Sequence, residues 1–570
     1  MQLLKRSCLP IRLVLRKHLK SETVSGLFLL ITLTVLVIYP LIMLVLNSVG
    51  ISVNNFSFNL KDYLNLFFDR QFLGALVNTL YLALTVSILS SLIGGGLAWL
   101  VTRTDLSGKG LIDLLVFLTF IIPSFIMAVS FIELFGKNGI ITNLFLETCK
   151  VNTSPLEIYS LGGVILVMTI NLYPLVYMTL SNALKNSDHS IEEAAYLDGA
   201  GRLRVLFSIT LPMIMPNILA VGLLVFARTV ACFGVAALLA LPARKYILTT
   251  YIYTALSSLN LSQATTVSII LILLTGAIFL IQSKFLKNRD YITLSANSSR
   301  PKELSLGRAK KTVMGIILFF FFLTTILPLI VILLTSFLKA FGLDYQLSNF
   351  TLANYRNILF EQSLTIRAFR NSILYGILSA SIALLLGSLA TYLANRSSFR
   401  GRKMIEFFAS WPMAIPGIVI AVAAILAWIN PPLKLYNTPW IIIVSYVTAS
   451  LPLVVKNVSG LLQNIDQELE EMAWILGASY LKTFRWIIIP LIKPGLRTGW
   501  ILAFLFVLRE IPISLMLYTS GTETIGVLLF NLRSDSGGLE TLSAFAVILL
   551  LLTITGHLLI KGFRRWEKVN

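Results

Sequence analysis

Apolar residues gather along this chain in twelve windows, at about 25–48, 74–101, 111–136, 161–183, 212–240 and 263–283, then at 312–337, 368–395, 404–429, 438–461, 492–517 and 543–560. Each reaches the roughly 18 to 20 residues that an α-helix needs to cross the hydrocarbon of a bilayer. Polar connections separate them. The pattern predicts an all-α polytopic membrane protein with about 12 transmembrane helices. The first window is too long for a signal-peptide core. It follows a basic start (Lys5, Arg6, Arg12, Arg16, Lys17, Lys20), which predicts an uncleaved N-terminus on the cytoplasmic side.

Composition supports a lipid-facing surface: 56% of the 570 residues are apolar, 13% are charged, and mean hydropathy is +0.84. A water-facing surface needs about twice that share of charge, which excludes a soluble enzyme and a secreted scaffold. The net charge of +20 changes the picture only once it is located. The basic residues lie in short pieces between apolar runs rather than on one exposed domain, so the positive-inside rule accounts for them and nucleic acid does not. With both termini inside, 29 of the 46 Lys and Arg fall on the inner side, 11 on the outer side, and six (Arg228, Arg370, Lys456, Lys493, Arg497 and Arg509) within the windows. A miscount by one helix would scramble that asymmetry. Three scattered cysteines (Cys8, Cys149, Cys232) and three histidines (His18, His189, His557) offer neither a disulfide framework nor metal-ligand spacing.

The two sets of windows are a repeat. Asn78, Arg103, Gly108 and Pro123 match Asn371, Arg396, Gly401 and Pro416 at an offset of 293, and Pro174, Ser181, Leu184 and Asn186 match Pro452, Ser459, Leu462 and Asn464 at an offset of 278. Two parallel six-helix repeats follow, with both ends of each on the same side. The expected organisation is a basic cytoplasmic N-tail (1–24), a first repeat (25–283), a cytoplasmic linker (284–311), a second repeat (312–560) and a cytoplasmic C-tail (561–570).

The most informative identity lies between the fourth and fifth spans of each half, at 188–216 and 466–494. The first copy carries Glu192, Glu193, Ala194, Ala195 and Gly199, and the second carries Glu470, Glu471, Met472, Ala473 and Gly477, with no gap between the copies. Helix-forming residues followed by a glycine free to take positive φ predict a short helix, a bend, and a second amphipathic stretch ending at Pro216 and Pro494. In this pattern the chain resembles the membrane subunits of binding-protein-dependent ABC importers, whose EAA loop has the form Glu-Ala-Ala, three residues, Gly. Met472 departs from Ala, a mild change for a good helix former. The resemblance covers nearly the whole chain as a fused pair of permease units. It implies the type I ABC importer permease fold, in a bacterial cytoplasmic (inner) membrane. It also implies that the ten residues above are the coupling elements seated on two copies of a cytoplasmic ABC ATPase. An extracytoplasmic solute-binding protein then delivers the cargo.

The chain lacks a phosphate loop: Gly307-Arg308-Ala309-Lys310-Lys311-Thr312 is the nearest approach and has neither the second glycine nor the spacing. No cofactor is expected on this chain; ATP and Mg belong to the ATPase partners. A secondary transporter of twelve spans is the alternative of another class, but proton coupling needs buried ionisable groups on the path. Three charges at membrane depth, Arg228, Arg509 and Glu510, are candidate lining residues of the translocation path. The segments Phe233–Ala243 and Arg509–Leu517 are similar to the fused ferric-iron permease group, although Val235 and Ala236 lack that group's proline. The same group includes permeases for 2-aminoethylphosphonate and thiamine. The resemblance therefore implies ferric iron as cargo, with those solutes as alternatives.

Overall fold

Prolines decide where the long apolar windows bend or break. In the computed structural model, which describes residues 22–52, 55–56, 58–149, 156–187, 190–287, 303–431, 433–534 and 538–569, the first half begins with α1 (Glu22–Ser48) and α2 (Arg70–Arg103). It continues with α3 (Lys109–Ile121), α4 (Ser124–Phe135), α5 (Leu161–Lys185) and α6 (Ser190–Leu197), then α7 (Leu203–Val230), α8 (Gly234–Leu239), α9 (Leu248–Ser257) and α10 (Leu261–Lys287). The second half repeats them as α11 (Ala309–Ser336), α12 (Ser363–Arg396), α13 (Arg402–Ser410), α14 (Gly417–Trp428) and α15 (Pro439–Leu462). It closes with α16 (Glu468–Ile475), α17 (Tyr480–Leu508), α18 (Pro512–Leu517), α19 (Ile525–Ser534) and α20 (Leu539–Val569). Among the described residues, eleven helices are long and apolar enough to span a membrane, or twelve if one bent pair counts as a span.

That bent pair corrects the sequence expectation. The window at 404–429 is not one helix: the segment Arg402–Ala414 meets Gly417–Trp428 at 117°. The window at 111–136 is likewise divided, into α3 and α4. Pro123 and Pro416 sit at the two breaks with extended ψ of 139° and 143°, where a ring without an N–H cannot continue a helix. The windows at 212–240 and 492–517 are also shorter than expected, since their helices stop at Val230 and Leu508 and the short α8 and α18 follow.

Four other prolines are accommodated without a break. Tyr39, Leu211, Leu327 and Ile489 each precede a proline, and each donates its N–H to the carbonyl five residues back, closing a π turn. The wider turn relieves the clash between the proline ring and the carbonyl four residues before it. Both halves use this device in the same two helices.

Two compact units form, and they cut across the sequence halves. One gathers 1–60, 358–531 and 551–570, and the other 61–357 and 532–550. The first helix of each half is therefore exchanged. In the first unit Leu29 and Leu33 of α1 pack among Ala383, Leu386, Val454 and Ile488, all buried. In the second, Thr325 of α11 shares a 2.7 Å hydrogen bond with Thr119 of α3, and Phe320 meets the ring of Tyr173 edge-on. The end of the expected linker is anchored too. Lys109 pairs with Glu303 at 2.8 Å, and Leu306 N–H donates to Asp105 at 2.9 Å. Residues 1–21 of the expected N-tail and 288–302 of the linker lie outside the described residues.

Candidate coupling elements and their anchors

The short helices α6 and α16 end alike. Ala200 N–H donates to Ala195 O and Gly199 N–H to Tyr196 O, at 2.9 and 3.1 Å; Ala478 N–H donates to Ala473 O and Gly477 N–H to Trp474 O, both at 2.9 Å. This is the Schellman pattern of a helix C-terminus, which needs a left-handed residue at the corner. Gly199 and Gly477 occupy it, with φ of +81° and +88°. No atom lies within 4 Å of where a Cβ would sit on either glycine, so the backbone, not space, requires glycine there.

What fixes these helices is a buried ion pair repeated in both halves. Arg103, the last residue of α2, places Nη2 3.2 Å from Glu192 Oε1, and also donates to Ser187 Oγ at 2.8 Å. Arg396, the last residue of α12, places Nε 3.4 Å from Glu470 Oε1 and donates through Nη2 to the carbonyls of Leu462, at 2.8 Å, and Ile465. Glu192 accepts a further bond from Thr210 Oγ1, and Glu470 one from Tyr392 OH, each at 2.8 Å. Burial pushes the Glu470 carboxyl above its usual range, while Tyr392 and Arg396 pull it back down.

The faces opposite these anchors are open. Glu193 and Ala194 of the first copy are exposed and Ala195 is half-buried; Glu471 and Met472 of the second are exposed and Ala473 is buried. At the tips Leu197 is 88% and Ile475 76% accessible. Each short helix thus has one buried glutamate locked to a transmembrane helix and an apolar tip left bare.

The family described as "Binding-protein-dependent transport system inner membrane component" matches residues 90–288 and again 383–568. The chain belongs to this family. The permease is a fused pair of such units and a multi-pass membrane protein. It is 28% identical over 477 residues, 83% of its length and 69% of the relative's, to "Ferric transport system permease protein FbpB" of Actinobacillus pleuropneumoniae. It is 24% identical over 475 residues, covering 83% of this chain and 86% of the relative, to "Fe(3+)-transport system permease protein FbpB 2" of Haemophilus influenzae. A relative of half its length, "Spermidine/putrescine transport system permease protein PotC" of Escherichia coli, is 29% identical over 228 residues, 40% of this chain and 84% of the relative. Among solved structures, a bacterial ABC transporter involved in the import of alginate overlaps 45% of this chain and 94% of its own, at 16% identity and a TM-score of 0.36.

The charges singled out for a path have separate surroundings. Arg228 is exposed in the last turn of α7. Arg509 is half-buried just beyond α17 and donates from Nε to Leu505 O at 3.2 Å. Glu510 is buried and accepts from the N–H groups of Ile513 and Ser514 at 2.8 and 3.4 Å, which caps the start of α18. By the 278-residue offset Arg228 aligns with Phe506 and Glu510 with Cys232, so these charges are not repeat partners of one another. In each half, a repeated asparagine ties the turn before α9 or α19 to the long helix. Asn78 donates to Tyr246 O at 2.9 Å, and Asn371 to Gly521 O and Glu523 O at 3.0 and 2.9 Å. Sequence reasoning paired Asn78 with Asn371 and Arg103 with Arg396 without giving them a role. Their recurrence was the signal.

Proposed function

We propose that the permease is the membrane subunit of an ATP-driven importer for ferric iron, with a solute-binding protein delivering the cargo and two identical ATPases seated on α6 and α16. The observation that carries the reading is the duplicated coupling element, held in each half by the same buried Arg–Glu pair and bent at the same left-handed glycine. Two such elements in one chain call for two ATPase seats. The names of the ferric transport relatives support iron as cargo.

The geometry suggests how motion enters. When ATP closes the ATPases, the exposed tips at Leu197 and Ile475 move with them. The Schellman corners stiffen the bend, and the ion pairs hand the displacement to α2 and α12. The two halves then rock from inward-open to outward-open and take ligand from the docked binding protein. Both termini lie on the ATPase side in this scheme. Arg228 in the last turn of α7 is placed in it as a lining charge of the path, with Arg509 and Glu510 contributing from the second half.

The test is uptake of radiolabelled ferric iron in cells lacking this chain and in the same cells with it restored, alongside 2-aminoethylphosphonate and thiamine. Loss and recovery of iron uptake alone supports the reading; a response of another solute keeps the importer and replaces the cargo. Uptake that collapses with an uncoupler while ATP is maintained would instead favour a secondary transporter.

A further inference from the structure

Among the described residues, three that are not glycine take positive φ: Arg244 at 53°, Leu259 at 59° and Asn437 at 64°. Two of them bracket one helix, α9. Before it, Lys245 N–H donates to Ala240 O at 3.0 Å and Arg244 N–H to Leu241 O at 2.9 Å. After it, Asn260 N–H donates to Ala255 O and Leu259 N–H to Leu256 O, both at 2.9 Å. Each is again the Schellman pattern, and each corner is one that glycine fills at least conformational cost.

Neither side chain repays that cost by packing. Arg244 and Lys245 are exposed and make no ion pair among the described residues, and Leu259 is 92% accessible. In the second half the position matching Arg244, 277 residues on, is Gly521 with φ of +93°. The first half thus keeps a cation where its own repeat shows glycine to suffice, and a bare leucine at a second such corner. Strained residues of this kind persist where the side chain has work to do.

Place and charge define the work. The turn lies beyond the far end of α7, a helix of 28 residues whose near end follows the coupling element, so it faces the side opposite the ATPase seats. A guanidinium and an ammonium repel a ferric cation and complement carboxylates. We propose that Arg244 with Lys245, and Leu259 at the other end of α9, form the surface on which the first half receives the solute-binding protein. Arg244 meets a carboxylate of that protein and Leu259 an apolar patch. This rests on the importer reading above.

The test uses the full-length permease with its ATPases in nanodiscs and the iron-loaded binding protein of this system, with docking measured across a range of NaCl. Arg244→Gly and Leu259→Gly relieve the left-handed corners, so the melting temperature should hold or rise. Arg244→Gly should weaken docking about tenfold at low salt and flatten its salt dependence, as loss of a rim charge does. Arg244→Lys should retain most of the affinity. Leu259→Gly should weaken docking about threefold and leave the salt dependence intact. Unchanged docking by both glycine variants, or a lowered melting temperature for Arg244→Gly, overturns the proposal. Absence of docking by the unaltered permease overturns the importer reading itself.

Discussion

The two candidate coupling elements reach one geometry with different supporting residues. Both lock a glutamate to the arginine that ends a long transmembrane helix, and both turn at a left-handed glycine. The third member of each cluster differs. In the first half it is Thr210, from the helix that follows the bend; in the second it is Tyr392, from the long helix itself, stacked on Phe484 and close to Tyr480. The tips differ as well, Leu197-Asp198 in one and Ile475-Leu476 in the other. What both halves retain is the Arg–Glu anchor and the corner. What differs is how the carboxylate is topped up and which side chains the tip leaves exposed.

The strongest way to break this comparison is to remove an anchor. Arg396→Ala leaves Glu470, whose side chain is 1% accessible, without its cation, and should cost about 3–5 kcal/mol, the usual penalty for orphaning a buried partner. Arg103→Ala should cost less, because the Glu192 side chain is more open, at 10%. Thermal unfolding in nanodiscs checks the order, and a milder effect for Arg396→Ala would contradict it. Next come the topping bonds. Tyr392→Phe and Thr210→Val should each lose about 1.5–3 kcal/mol, as expected for a hydrogen bond to a charged group, and each should weaken only its own half.

The corners follow. Gly199→Val and Gly477→Val meet no steric obstacle, so each should cost about 1–2 kcal/mol of backbone strain and reduce transport. Normal uptake in the double variant would remove the corner from the mechanism. The pH response is smaller. Because the folded Glu470 carboxyl sits above its unfolded value, the folded state takes up its proton first as pH falls from neutral. Acidification toward the ordinary carboxylate range should therefore add stability, and Glu470→Gln should abolish that gain. Least of all, Leu197→Ala and Ile475→Ala should shift stability by under about 0.5 kcal/mol, since both side chains are exposed, while lowering ATP-coupled transport.

Local signals made the repeat and the corners legible: the spacing of Glu, Ala and Gly sufficed to place a short helix and a bend at Gly199 and Gly477. The anchors were visible only as recurrences, because Arg103 and Glu192 are 89 residues apart and nothing local pairs them. The breaks at Pro123 and Pro416 were hidden for a different reason. The helices after them are buried along almost their whole length, so hydropathy runs unbroken through a bend. The exchange of α1 and α11 between units left no trace in the sequence, since a span's window looks the same whichever unit it joins. Glu133 was also missed. It is a fully buried carboxylate within α4 that accepts from Ser543, a lone acid in an apolar run with no counterpart in the other half.

The most direct test of the central claim is cross-linking between single cysteines, Leu197→Cys or Ile475→Cys in a background without the native cysteines, and the ATPase subunits in membranes, with and without ATP. Two working coupling elements predict that both positions cross-link, to comparable extents, and that ATP changes both yields together. Cross-linking at one position only, with uptake intact, would contradict the account.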